Sequence, residues 1–91
     1  MYLRYLDESL NPKEIEIFER GDAIYTLKDN IIVRWSIVEV SISQKLSNGK
    51  TEIKITYYCT NKLAGHEQIP HYNAYKNPED LTYDLVKNMV K

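Results

Sequence analysis

Apolar and polar residues alternate on both sides of Asn48-Gly49, through the stretch VEVSISQKLSNGKTEIKITYYCT. Asn-Gly is the dipeptide that two-residue hairpin turns prefer, because both turn positions need positive φ. With those two residues as the loop, opposite positions sum to 97. Val38 then faces Cys59, Val40 faces Tyr57, Ile42 faces Ile55 and Gln44 faces Ile53, while Glu39 meets Tyr58, Ser41 meets Thr56, Ser43 meets Lys54 and Lys45 meets Glu52. One face is apolar and the other polar, and a slip of one residue would mix them.

Upstream, Val33 and Trp35 fall out of phase with Val38, Val40 and Ile42, so a one-residue bulge at Ser36-Ile37 is expected to restore a common core face. Asp29-Asn30 supplies a second tight turn, which pairs Ile24 with Trp35, Tyr25 with Arg34 and Thr26 with Val33. Alternation at Ile15 and Ile17 predicts a further strand, turning around Glu19 to Asp22 so that Ile17 faces Ile24. The stretch NPKEIEIFERG also carries helix punctuation, with Asn11 as a cap, Pro12 at the first position and Gly21 past the end. The β-branched alternation favours the strand. Leu3, Leu6 and Leu10 have helical spacing, and a short strand over residues 2–6 is the competing reading.

Towards the C-terminus, Asn77 suits a helix N-cap and Pro78 the first helical position; Glu79 and Asp80 fall in the first turn, Lys87 and Lys91 in the last. Leu81, Leu85 and Met89, flanked by Val86 and Val90, form a stripe fit to lie on the core face of the sheet. The expected architecture is α+β: a four-stranded antiparallel meander with one C-terminal helix packed on its core face, preceded by a short N-terminal strand or helix.

Ninety-one residues, 43% hydrophobic and 27% charged, suit a single domain over residues 1–91 with one modest core. No apolar run reaches the about 20 residues of a membrane span, and MYLRYLDESL lacks the apolar stretch of a signal peptide. A single cysteine leaves no intramolecular disulfide, and the reading is cytoplasmic. The net charge of −1 lacks the basic surplus usual for duplex binders. Its distribution is uneven: residues 1–30 hold four basic and seven acidic groups, and residues 31–62 hold five and two.

Cys59, His66 and His71 gather in CTNKLAGHEQIPHYNAY, which reads as the end of the last strand and a long connection to the helix. Zinc would use thiolate and imidazole, but the C-x6-H-x4-H spacing lacks the paired near ligands of a zinc motif. The hairpin register also puts Cys59 on the core face, away from any base it would need as a nucleophile. No phosphate-cradling glycine loop, H-E-x-x-H or G-x-S-x-G occurs, so the chain reads as non-enzymatic and calls for no metal or cofactor.

Tyrosine is the unusual feature, at eight residues against one Phe and one Trp. Its rigid apolar body and polar tip suit a surface that becomes buried against a partner, although exposed strand positions also favour it for β-propensity. The candidate contact residues are Tyr25, Arg34, Glu39, Lys54 and Tyr58 on the outer sheet face, with His66, His71, Tyr72 and Tyr75 in the 60–77 connection. A protein partner is the first expectation, the chain acting as adaptor or inhibitor. Such composition is common among phage and mobile-element accessory proteins, an association without physical warrant. The alternative is a single-stranded nucleic-acid binder, with Tyr25 and Tyr58 stacking bases while Arg34, Lys45, Lys50 and Lys54 follow phosphates. Four strands then a helix is also the order of one class of single-strand binders, a likeness of predicted order only. A homodimer through an edge strand or the C-terminal helix fits either reading. Binding through His66 and His71 would respond to mildly acidic pH.

Overall fold

The computed structural model describes residues 1–6 and 9–89, without the side chains at 47, 50, 51, 88 and 89. The elements are β1 (Tyr2–Leu6), β2 (Pro12–Glu16), β3 (Ala23–Lys28), β4 (Ile31–Ser47), β5 (Lys50–Asn61), β6 (Gly65–Pro70), a 3₁₀ turn (His71–Asn73) and α1 (Pro78–Met89). Strands β3-β4-β5-β6 form a four-stranded antiparallel meander, and β1-β2 form a separate two-stranded sheet.

Both tight turns lie where the dipeptides place them. Asp29 and Asn30 have φ of 51° and 64°, Asn48 and Gly49 of 52° and 75°, the left-handed pair that a two-residue hairpin needs. The β3-β4 register pairs Ile24 with Trp35, Tyr25 with Arg34 and Thr26 with Val33, and the 97-sum register of β4-β5 holds from Glu39–Tyr58 to Ser47–Lys50.

Three expectations are corrected. The bulge falls at Val38 rather than Ser36-Ile37, so Ile37 pairs with Cys59 and is buried, and Val38 is 46% exposed. Gly21 N–H donates to the Ile37 carbonyl at 2.9 Å and Ile37 N–H to the Asp22 carbonyl at 3.0 Å, which pins Ile37 inward. The strand at Ile15 pairs with β1, Leu3 opposite Ile15, instead of joining the main sheet, and the helix reading of residues 1–20 falls with it. Ile17 still reaches the core, because its backbone bonds to Met1 (2.8 and 3.3 Å) rather than to β3. The fourth strand is β6: Gly65–Pro70 pairs with β5 inside what reads from sequence as a long loop.

The core comprises Ile17, Ile24, Trp35, Ile37, Ile55, Tyr57, Cys59 and Ile69. The meander curls so that its two edge strands meet. Lys28 on β3 and Glu67 on β6 form an ion pair at 3.2 Å, and Tyr25 and Tyr75 exchange backbone hydrogen bonds of 2.8 and 3.1 Å across the seam. Helix α1 follows, capped as expected by the Asn77 Oδ1, which accepts from the Asp80 N–H at 2.8 Å. Among its described side chains Leu81 is the buried one; Leu85 is half-buried and Val86 exposed, while Val90 and Lys91 lie outside the described residues and Met89 is described by its backbone alone.

Trp35, fully buried, donates its indole N–H to Thr26 Oγ1 at 2.8 Å. Replacing Thr26 by Val keeps the shape and leaves that N–H unpaired, which costs about 1–3 kcal/mol. Urea unfolding followed by the fluorescence of Trp35 should show a lower midpoint for Thr26→Val and a near-native one for Thr26→Ser; an unchanged Val variant would dispose of the claim.

Candidate binding surface

Period-two alternation assigns each strand residue to the interior or to the outer face of the curled sheet. The register stacks the outer residues in rows: Tyr25 with Arg34; Ser36, Thr60 and His66; Glu39, Tyr58 and Gln68; and Ser43 with Lys54. Six of the nine candidate residues, Tyr25, Arg34, Glu39, Lys54, Tyr58 and His66, thus share one face. Tyr75 extends the first row, because its exchanged backbone bonds with Tyr25 put both side chains on the same side.

The bulge shapes this face. It turns Val38 out beside Tyr58, and the two line a shallow depression with His66 and Gln68. Glu39 stands across from Tyr58 in the ladder. Arg34 is held by its backbone, whose carbonyl accepts from Asn61 Nδ2 at 2.8 Å. The same Asn61 organises the β5-β6 turn: its Oδ1 accepts from the N–H groups of Leu63 (2.7 Å) and Ala64 (2.8 Å), and Gly65 takes φ of 89°.

The three candidates beyond β6 have different surroundings. Tyr72 is 80% exposed. The Tyr75 hydroxyl donates to Asp84 Oδ2 at 2.7 Å, which ties the segment to α1; losing that bond to an ionised carboxylate would be unfavourable, so the phenol pKa is raised. His71 turns inward instead of lining a contact loop. Its ring packs with Phe18 and Tyr57, centroids 6.1 and 5.9 Å away, and Nδ1 lies 2.8 Å from the Tyr57 hydroxyl. That hydroxyl already accepts from the Phe18 N–H at 3.1 Å, so its own proton points to Nδ1, which assigns neutral His71 the tautomer protonated at Nε2. Burial lowers the His71 pKa and raises that of Tyr57.

Cys59 is buried on the core face, where burial pushes its thiol up to about 11, far from the thiolate that nucleophilic or metal chemistry needs. Among the described residues no group of three or more His, Cys, Asp or Glu is placed to hold a metal. No described helix is long and apolar enough to cross a membrane. Sequence reasoning missed Val38 and Gln68 as members of this face. The signal for Gln68 was available in Asn61 and Gly65, which bracket a turn and imply a returning strand.

The molecule is thus an α+β protein, a curled antiparallel meander closed by one C-terminal helix and bearing a tyrosine-rich outer face. Compared with family models, with curated proteins and with solved structures, the chain matches none.

The lowered pKa of His71 has a stability consequence. The unfolded chain takes up the proton near pH 6.5, and the folded chain only at lower pH, so His71 subtracts nothing above that value and destabilises progressively as pH falls below it. Urea unfolding between about pH 5 and 7 should show wild type losing more stability than His71→Asn, whose side chain does not titrate. Parallel pH profiles would remove His71 from the account.

Proposed function

We propose that this chain is a non-enzymatic protein-interaction module of the cytoplasm, an adaptor or inhibitor that docks on a protein partner through its outer sheet face. The observation that carries this reading is the depression at the bulge. An exposed valine and a half-buried tyrosine sit side by side, rimmed by His66, Gln68 and Glu39. An apolar and aromatic anchor inside a mixed polar rim is the anatomy of a protein–protein contact. Arg34 and Lys54 flank it on the same face, and Tyr72 projects freely beyond β6.

The ladder disfavours single-stranded nucleic acid at this spot. Tyr58 stands between Glu39 and Gln68, with no cation directly across from it to take a phosphate.

Pull-downs from host lysate with wild type, Val38→Lys, Tyr58→Ala and Tyr72→Ala are the test. A specific partner should be retained by wild type and lost about tenfold or more with Val38→Lys and Tyr58→Ala, since a buried aromatic anchor contributes about 2 kcal/mol or more. Tyr72→Ala should reduce capture if the contact extends past β6. Full retention by the first two variants would displace the partner from this face, and salt-sensitive binding of a labelled oligonucleotide would favour the nucleic-acid reading instead.

A further inference from the structure

We propose that the chain forms a two-fold symmetric dimer by antiparallel pairing of the free edge of β4 with the same edge of a second copy, centred on Ile42. The inference is independent of the outer-face reading. It rests on the distal part of the β4-β5 hairpin, which runs past the rest of the sheet. Strand β3 pairs with β4 only up to Ser36, and β6 pairs with β5 only from Thr56 onwards. From the Ile42–Ile55 pair to the turn the hairpin is therefore a two-stranded arm, and a ribbon of two strands is marginal by itself; Glu39 to Ser41, backed by β5 and β6, continue the same open edge of β4.

The turn fixes which backbone groups are free. In a two-residue hairpin the flanking residues, here Ser47 and Lys50, exchange both hydrogen bonds, and the pattern alternates from there. Ser41, Ser43 and Lys45 direct their N–H and C=O groups to β5. Val40, Ile42, Gln44 and Leu46 direct theirs outward, and among the described residues no further backbone partner meets them. Ile42 and Leu46 are 45% and 76% exposed, so the edge is open to approach.

The sequence of this edge, EVSISQK over residues 39–45, is complementary to itself when run antiparallel. With Ile42 on the two-fold, Ile42 meets Ile42 of the second copy, Val40 meets Gln44, Ser41 meets Ser43 and Glu39 meets Lys45. The outward backbone groups of Val40, Ile42 and Gln44 then all find partners, giving about six hydrogen bonds. A lysine on a free edge ordinarily discourages pairing. Here each lysine faces a glutamate, twice over by symmetry, and among the described residues neither Glu39 nor Lys45 has an ion pair of its own. Centring on Ser43 instead would place Lys45 opposite Ser41 and leave Glu39 unmatched.

The apolar surroundings point the same way. Leu3, Tyr5, Leu6, Leu10, Ile42 and Ile53 line a groove between the β1-β2 hairpin and the arm, and Leu6 and Leu10 are exposed at 56% and 75%. Pairing at Ile42 sets a second isoleucine at the margin of this groove. The opposite edge of the arm, on β5, offers outward groups only at residues 51, 53 and 55 before β6 takes over, so the longer edge is that of β4.

Sedimentation equilibrium of the purified full chain tests the pairing. Wild type should dimerise. Glu39→Lys and Lys45→Glu each set like charges opposite at both symmetric positions and should weaken the dimer about tenfold. An equimolar mixture of the two single variants should associate about as well as wild type, because the lysine introduced at 39 then meets the glutamate introduced at 45, and the native Lys45 of one variant meets the native Glu39 of the other. Ile42→Pro removes an outward N–H and no bond within the chain, and should leave a folded monomer with native Trp35 fluorescence. A wild type that stays monomeric up to its solubility limit would overturn the proposal, as would single variants that dimerise like wild type or a mixture that fails to associate.

Discussion

The sheet must close on itself, and the rest of the structure depends on that constraint. Four strands carry Trp35 and Tyr57 on their inner face, and each of these aromatics gains roughly 4–6 kcal/mol from complete burial. A flat meander would leave both rings open to water. The curl brings β3 to β6, and the segment after β6 completes the seam through the Tyr25–Tyr75 bridge and the buried Leu81 of α1. The Lys28–Glu67 pair across the seam is partly exposed and contributes about 0.2–1 kcal/mol, so it marks the closure more than it drives it. Burial drives it, and the polar atoms carried inside are matched: the indole by Thr26, and the Tyr57 hydroxyl by Phe18 and His71.

Closure also explains why the chemistry suggested by clustered Cys and His residues dissolves. Cys59 lies on the inner face two residues from Tyr57, and His71 is drawn in to hydrogen-bond the Tyr57 hydroxyl. His66 pairs with Thr60 on the outer face. Three residues that look like one reactive group along the chain are thus divided between a core wall, a hydrogen-bonded seam and a solvent-facing row. A buried thiol with a raised pKa and a half-buried histidine with a lowered one both favour their neutral forms, which suits packing.

The parts legible in the sequence were those fixed by short-range geometry. Asn48-Gly49 and Asp29-Asn30 demand positive φ and so set two registers to the residue, and Asn77-Pro78 sets the helix start. What escaped depended on contacts distant along the chain. Strand β6 carries one strongly apolar residue, Ile69, among Gly65, His66, Glu67, Gln68 and Pro70, too little alternation to announce a strand; pairing with β5 makes it one. The strand at Ile15 was visible, but its partner was not, because Ile17 reaches the same core from either sheet. The bulge was legible as a phase break and misplaced by one or two residues, since the choice between Ile37 and Val38 is made by Gly21 and Asp22, which hydrogen-bond to Ile37. Most of the outer face followed correctly from the registers, while its depression depended on where the bulge fell.

That one-residue difference matters for what the molecule presents. Had Val38 faced inward opposite Cys59, the outward apolar residue would have been Ile37, set across from Thr60 instead of next to Glu39 and Tyr58. With the bulge at Val38, an apolar side chain joins the tyrosine, and the strand beyond resumes the 97-sum register with its polar positions outward. The bulge also marks a boundary along β4. Before it, the strand pairs with β3 from Ile31 to Ser36 and with β5 at Ser36 and Ile37; after it, the strand has β5 on one side and an open edge on the other. A bulge commonly ends pairing on one flank of a strand and re-aims the side chains around it. Here both effects converge at Val38: the same irregularity creates the outer-face depression and releases the arm whose edge is self-complementary.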